Sequence, residues 1–439
     1  MPEVWERFGA YRKNEANGRE DTDSMRRIQT AVLIGMMVIA SISISGCGTQ
    51  PVESGDAVSQ TLQEPPEETP QETPEETPEE TQQPQQTVNS WQPIDRTDVF
   101  ELFSNMTVGW NLGNTFDAIG AGNSLSSETY WGNPTTTGDM IDAIAAQGFN
   151  TVRIPVSWGE HVGEAPEYKI DEEWLARVEE VVGYCLDDGM YVVLDTHHET
   201  DSWFSLQEDE LERTKAELEA VWTQLAERFK DCDRHLLFEG MNEPRTPGSA
   251  NEWSGGTAKE RVAVNALNQI FVDAVRAVGG NNTDRCLIIC TYGHNASAAA
   301  MRELKIPDDP NIAVAVHLYT PYFFTFDPDS GSVHTWDGTL QSEIDATLEQ
   351  IDIQLLRKGV PVIVTEFGAV NKGNTDEVVK WIGDYLGAMN DYGLKCIWWD
   401  NGIYTGSGEL FGIFDRRNLT WFSQEIADAL VKNAVGSQE

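Results

Sequence analysis

Two glutamates sit where strand-like runs stop. Glu243 closes LLFEGMNEP (236–244) and Glu366 lies near the end of PVIVTEFG (361–368). Each run of apolar strand formers finishes by presenting a carboxylic acid to whatever lies beyond it. Two carboxyl groups on one cleft are the apparatus of glycoside hydrolysis. One must be protonated, to give its proton to the leaving oxygen, and the other ionised, to attack the sugar or to activate water. Groups that could assist end other runs: Arg153 in TVRIPVSW, His197 in DTHHE, Asn242 beside Glu243, His317 and Tyr319 in HLYTP, and Trp399 in WWDNG. An Arg153 guanidinium or a Tyr319 hydroxyl against one carboxylate would keep it charged. A single buried glutamate is usually explained by a salt bridge. Two of them at strand ends, with an arginine, two histidines, a tyrosine and a tryptophan, ask for more.

These residues need a scaffold that brings strand ends together. Runs rich in β-branched and aromatic residues recur at 108–114, 151–157, 191–197, 235–242, 286–292, 312–319, 361–366 and 396–401. Between several of them the apolar spacing turns helical, as at 140–148, 172–189, 259–280 and 376–393, with a glycine closing each. The helix between the fifth and sixth runs is short and poorly defined. Eight β-then-α units predict a (β/α)₈ barrel, whose site gathers at the C-terminal ends of the strands. A doubly wound open sheet is the alternative, weakened because no glycine-rich phosphate loop follows the first strand.

Period-2 alternation sorts the faces. Ala313, Ala315, His317 and Tyr319 share one, as do Val362, Val364 and Glu366. Trp399 should point in and Trp398 out. Asn242 and Glu243 cannot both point inward from a regular strand, so a bulge or the strand's end must intervene.

Net charge is −42, from 72 acids and 30 bases, which excludes nucleic acid as a natural partner. Residues 25–47 have two arginines, then an uncharged apolar run, then small residues ending Ile44-Ser45-Gly46-Cys47. That is the layout of an export signal, and its end resembles a bacterial lipobox. Met25 is the better start for it, so residues 1–24 are read as an upstream segment. Cys47 is the expected lipidation point, which places the rest outside the cytoplasmic membrane, anchored through lipid; free secretion is the alternative. Residues 48–90 hold an acidic Pro/Thr repeat with no Lys or Arg, read as a disordered tether. The folded domain is expected over 91–439, as a monomer. Its five cysteines, Cys185, Cys232, Cys286, Cys290 and Cys396, fall in predicted strands and helices and read as buried thiols, with one bridge left open.

TVRIPVSW, DTHHE, MNEP, HLYTP, VTEFG and WWDNG, in this order, resemble the family 5 glycoside hydrolases of the cellulase type. The likeness covers residues 95–430. VGWNLGNTFDA (108–118) and WGNPTTT (131–137) look closest to the bacterial endo-β-1,4-glucanase branch, which also includes lichenases and xyloglucanases. The resemblance implies retaining hydrolysis of a β-glucan, with Glu243 as acid/base, Glu366 as nucleophile and no cofactor. It implies that Arg153 and Tyr319 hold Glu366, that Asn242 bonds the sugar 2-hydroxyl, that His197 and His317 frame the site, and that Trp399 is a stacking floor. Asn114, Trp131 and His198 are further substrate contacts. Xyloglucan, mixed-linkage glucan and mannan are alternative substrates on the same scaffold. A metal site built on His197, His198 and Glu199, with His317 as third-strand ligand, is a rival. It is disfavoured because adjacent strand residues diverge and because both glutamates would then lack a role. A sugar-binding barrel that has lost activity is the non-enzyme rival, and neither catalytic glutamate is missing.

Overall fold

The computed structural model describes residues 96–326 and 332–434. The export signal, Cys47, the tether and residues 91–95 lie outside them. Eight parallel strands close on themselves in sequence order: β1 Gly109–Asn111, β2 Thr151–Ile154, β3 Tyr191–Asp195, β4 Leu236–Glu239, β5 Leu287–Cys290, β6 Ile312–His317, β7 Val362–Phe367 and β8 Lys395–Trp398. All eight expected strands are present, most shorter than the apolar runs, because those runs continue into the mouth loops. The open sheet is excluded, since β8 pairs with β1.

The helices are α1 Thr97–Ser104, α2 Gly138–Gln147, α3 Glu172–Asp187, α4 Leu211–Arg228, α5 Ala258–Val278, α6 Ala298–Arg302, α7 Tyr322–Thr325, α8 Gln341–Gln354, α9 Thr375–Asp391 and α10 Gln424–Ala434. Their ends follow local chemistry. Asp171 caps α3 by accepting from the backbone N–H groups of Glu173 and Trp174. Thr257 and Glu260 form a reciprocal capping box at the start of α5. Gly148 ends α2 in the left-handed region, φ 112°. The connection between β5 and β6 holds a 3-10 turn at Tyr292–His294 and the five-residue α6, as its weak sequence pattern implied.

Strand alternation builds two apolar compartments. Outward side chains such as Trp110, Val152, Leu194, Phe238, Val316 and Trp398 pack beneath the helices. Inward ones, Val193, Leu237, Ile288, Ala313, Ala315, Ile363 and Ile397, fill the barrel, and α1 presses Val99, Leu102 and Phe103 onto them. Toward the strands' C-terminal ends the inward residues turn polar: Asn111, Arg153, Asp195, Glu239 and Thr365 are all fully buried. Above this polar layer lies the mouth.

One expected face is wrong. Val362 and Val364 pack outward among the helices, while Ile363 points in. The ladder slips between Val364 and Phe367 against β8, and between Val316 and His317 against β6. That bulge resets the alternation, so Thr365 and Glu366 both reach the mouth-side network. Phe367 returns outward, 5.1 Å from Tyr385 and 5.4 Å from Trp398 between ring centroids. The conflict at Asn242 and Glu243 has the other resolution foreseen: β4 stops at Glu239, and Glu243 adopts a left-handed backbone with φ 43°. The remaining cysteines are free thiols, four of them buried.

Candidate active site

Arg153, fully buried on β2, organises the polar layer. Its Nε donates to Glu239 Oε2 at 2.6 Å. One terminal nitrogen donates to Asn111 Oδ1 at 3.1 Å and Glu366 Oε1 at 2.8 Å. The other donates to Asn242 Oδ1 at 2.9 Å and lies 2.7 Å from Asp195 Oδ2. A planar fork of donors is what such a pattern requires. Burial alone would lower the Arg153 pKa, but the charges of Glu239, Asp195 and Glu366 outweigh it and raise it above its ordinary value. Burial pushes Asp195 up to about 7 against the pull of Arg153. Burial also acts upward on Glu239, yet Arg153 and His294 overcome it and hold that carboxyl well below the usual range.

Glu366 has its other oxygen, Oε2, bonded by the Tyr319 hydroxyl at 2.9 Å. The expected pair of donors, Arg153 and Tyr319, therefore does converge on this carboxylate. Burial and the neighbouring Glu366 raise the Tyr319 pKa well above its ordinary value, so the phenol stays a donor. His317 bridges the two glutamates: its Nδ1 is 2.9 Å from Glu243 Oε1 and 3.5 Å from Glu366 Oε2. Burial pushes the His317 pKa well below its usual value, so the ring is neutral. Its nitrogen and the facing oxygens of Glu243 and Glu366 all lie within 4.8 Å of one another.

The left-handed turn at Glu243 is fixed from behind. The Glu243 backbone N–H donates to His294 Nδ1 at 3.0 Å. That makes Nδ1 the acceptor, so Nε2 carries the proton and donates to Glu239 Oε1 at 2.9 Å. Thr365 adds a hydroxyl donor to the same oxygen at 3.0 Å. Such a backbone costs on the order of 1–3 kcal/mol, and this network pays for it.

The other wall is aromatic. Trp399 lies parallel to the His197 ring, centroids 5.7 Å apart at 5°. It faces the mouth and Trp398 faces the helices, as alternation required. His197 Nδ1 is 2.8 Å from Asp195 Oδ2, and burial pushes its pKa well below the ordinary value. Trp399 is seated by its neighbours in the chain. Asp400 accepts from the backbone N–H groups of Gly402, Ile413 and Phe414. Arg416 ties the Asp400 carbonyl to that of Gly113. A Cβ at Gly113 would stand 2.9 Å from the Trp399 ring, so this close approach requires glycine.

Asn114, Trp131 and His198 gather on the same side. The Trp131 ring is 5.5 Å from the His198 ring, and its indole N–H donates to the Ile119 carbonyl at 3.1 Å. His198 Nε2 lies 3.7 Å from Asp117 Oδ2. Burial lowers its pKa, but that carboxylate reverses the effect and leaves it raised. Asp117 also accepts from the Asn114 backbone N–H at 3.0 Å.

The metal rival meets a different geometry from the one imagined. Glu199 turns away from the histidines to accept from the backbone N–H groups of Trp158 and Gly159 and from the Trp203 indole. The two histidine rings do not diverge: their centroids are 4.5 Å apart, and with Asp117 they offer ligand atoms within 4.8 Å of one another. His317 is absent from that group and joins the two glutamates instead.

Several residues of this network carried no flag in the sequence. Glu239 was hidden inside the run assigned to strand four, although a charged residue two places from Leu237 marks an inward acid. His294 follows strand five in the polar stretch TYGHN, an ending that carries the same signal as the other seven. Asp117, Arg245 and Arg416 lie on mouth loops and had no strand to flag them.

Against known proteins, the model for cellulase, glycosyl hydrolase family 5, matches residues 113–405. The chain is 47% identical over 338 residues to endoglucanase A of Ruminococcus albus, spanning 76% of this chain and 92% of that one. It is similar to the crystal structure of a xyloglucan-specific endo-β-1,4-glucanase of family 5, from a metagenomic library, in complex with cellotriose. The identity is 54% and the TM-score 0.76, over 77% of this chain and 100% of that one. A broad-specificity endoglucanase from Ruminococcus champanellensis with bound cellotriose is 43% identical with a TM-score of 0.73, over 76% and 97%.

Proposed function

The chain belongs to glycosyl hydrolase family 5, and from that premise we propose that it is a retaining endo-β-1,4-glucanase acting on β-glucan chains. The observation that carries this reading is the placing of Glu243 and Glu366. Their facing oxygens lie within 4.8 Å of each other, which suits the roughly 5–5.5 Å of retaining sites better than the roughly 6.5–9.5 Å needed to seat a water between them.

Glu366 is the nucleophile. Arg153 and Tyr319 each occupy one of its oxygens, fixing the carboxylate in place. Glu243 is the acid/base: it protonates the leaving oxygen as the Glu366–sugar bond forms. It then takes a proton from the water that breaks that bond. His317 holds Glu243 Oε1 through a neutral ring. Asn242 gives its carbonyl oxygen to Arg153, which leaves the NH₂ end for the sugar 2-hydroxyl. Trp399, braced by His197, is the floor under the reacting ring. Asn114, Trp131 and His198 serve the glucosyl units beyond it.

A second reading is a preference for xyloglucan, favoured by the 54% identity to a xyloglucan-specific relative. A reducing-sugar assay on carboxymethyl cellulose, mixed-linkage glucan, xyloglucan and mannan separates these, with the product anomer followed by NMR. Release from the first two with the β-anomer appearing first is the expected result. Release from none, or first appearance of the α-anomer, refutes the proposal.

We further propose that Cys47 is lipidated and that the domain works on the outer face of a bacterial cell membrane. The three-part signal in residues 25–47 supports this. Radiolabelled palmitate should mark the parent and not Cys47→Ala; equal labelling of both refutes it.

A further inference from the structure

Glu243 must take two forms within one turnover. As the acid it gives its proton to the leaving oxygen, while the Glu366–C1 bond forms and the bond from C1 to that oxygen breaks. As the base it takes a proton from water, whose oxygen bonds C1 while the Glu366–C1 bond breaks and its electron pair returns to Glu366. Between the two halves the Glu243 side chain is an anion.

The groups around it differ in how they treat that charge. Glu366 on β7 opposes it whenever Glu366 is itself a carboxylate, and Glu409, on the loop after β8, is near enough to act on both glutamates. His317 on β6 meets Oε1 through a neutral ring. Burial holds the His197 ring, after β3, and the Cys290 thiol, on β5, in their neutral forms. The Tyr319 hydroxyl is given to Glu366, and His294 meets the Glu243 backbone instead of its carboxyl. Arg153 is shared among Asp195, Glu239 and Glu366.

Arg245 is different. It follows Glu243 by two residues on the loop after β4, and its guanidinium lies 3.7 Å from Glu243 Oε2. Its Nε donates to Glu252 Oε1 at 3.1 Å, and the other Glu252 oxygen accepts the Gly248 N–H at 2.7 Å. A terminal nitrogen donates to the Glu243 carbonyl at 3.3 Å and to Thr200 Oγ1 at 3.4 Å. Its flat face rests over the Trp253 ring, 4.7 Å from the centroid. A permanent cation is thus parked against the carboxyl oxygen that His317 leaves open, one short movement from a hydrogen bond. A neutral acid gains little from that neighbour, whereas an anion gains a charge pair.

We propose that Arg245 is a positioning residue for the second half of the reaction: it is the counter-charge of Glu243 in its base form, and it speeds hydrolysis of the glycosyl-enzyme more than its formation. This rests on the retaining reading above. An interaction present in one form of Glu243 counts only in the step that uses that form.

The test separates the halves on 2,4-dinitrophenyl β-cellobioside. Its leaving group needs no proton, so breakdown of the glycosyl-enzyme sets kcat while the burst of dinitrophenolate reports its formation. In Arg245→Gln, kcat should fall about tenfold, the low end of what a charge pair near 4 Å is worth at a partly covered site. KM should fall with it, so that the burst rate and kcat/KM stay within about twofold of the parent. Arg245→Lys keeps the charge and should retain most of the parent's kcat. Equal falls in kcat and kcat/KM assign Arg245 a merely structural role and overturn the proposal. So does an unchanged kcat in Arg245→Gln, or a loss in Arg245→Lys as deep as in Arg245→Gln. A parent that releases the α-anomer first overturns the retaining reading and this proposal with it, whereas a retaining parent with an unsplit variant overturns this proposal alone.

Discussion

At the scale of single residues, Arg153 decides the site. Its five donor contacts reach Glu239, Asn111, Glu366, Asn242 and Asp195. Lysine offers three donors on a flexible stem and cannot make that fork. Arg153→Lys should therefore leave buried carboxylates unpaired, lowering stability by about 3–5 kcal/mol, as read by guanidinium-induced unfolding. Glu366→Ala should behave differently. It removes only one, mouth-side partner of that guanidinium, so the fold should persist by circular dichroism while glucan hydrolysis falls on the order of 10⁴-fold or more. Azide, small enough to enter the space, should restore part of the cleavage of an activated glycoside. Full residual activity would remove Glu366 from its role. That Glu243 and Glu366 meet at the mouth was readable in the sequence because each acid ends an apolar run. Glu239 was not, because an acid inside such a run looks like part of the strand until a partner is known. The partner, Arg153, is 86 residues away.

At the scale of elements, eight strands and the long helices were legible because periods of 2 and 3.6 repeat over enough residues to stand out. The bulge at Thr365 was not. Nothing in PVIVTEFG distinguishes a regular strand from one that slips by a residue; the choice is made by packing, which seats Phe367 against Trp381, Tyr385 and Trp398. Two acids reached their places by opposite means, Glu366 through a slipped ladder and Glu243 through a turn beyond the strand. The helices contribute rigidity, and α5, 21 residues long, begins at a full capping box. Thr257→Ala should cost about 1 kcal/mol, seen as a lower urea midpoint with an unchanged slope. The hydroxyl this variant removes bonds the Glu260 backbone N–H and not the glutamate pair, so kcat should not move with it.

At the scale of the molecule, two apolar shells hold the barrel, and among the described residues the cysteines are free thiols. One acid works against it. Glu217 on α4 is 7% exposed, and burial pushes its carboxyl up to about 7, against Arg213 and with help from Glu164. The folded state thus holds this proton more tightly than the unfolded chain does. The stabilisation is complete below the ordinary value of 4.5 and is lost as pH rises to about 7. Glu217→Gln should match the parent near pH 4.5 and melt about 1–3 °C higher at pH 8. A constant difference across that range would contradict it.

The helix α1 supplies the floor on which the barrel's inner apolar residues rest. The family model spans residues 113–405, which omits that floor, the first strand, Arg416 and α10. Anyone trimming the gene to those limits for expression would express a cylinder open at its base. The smallest piece that folds is therefore set by parts of the chain outside the span of the family model.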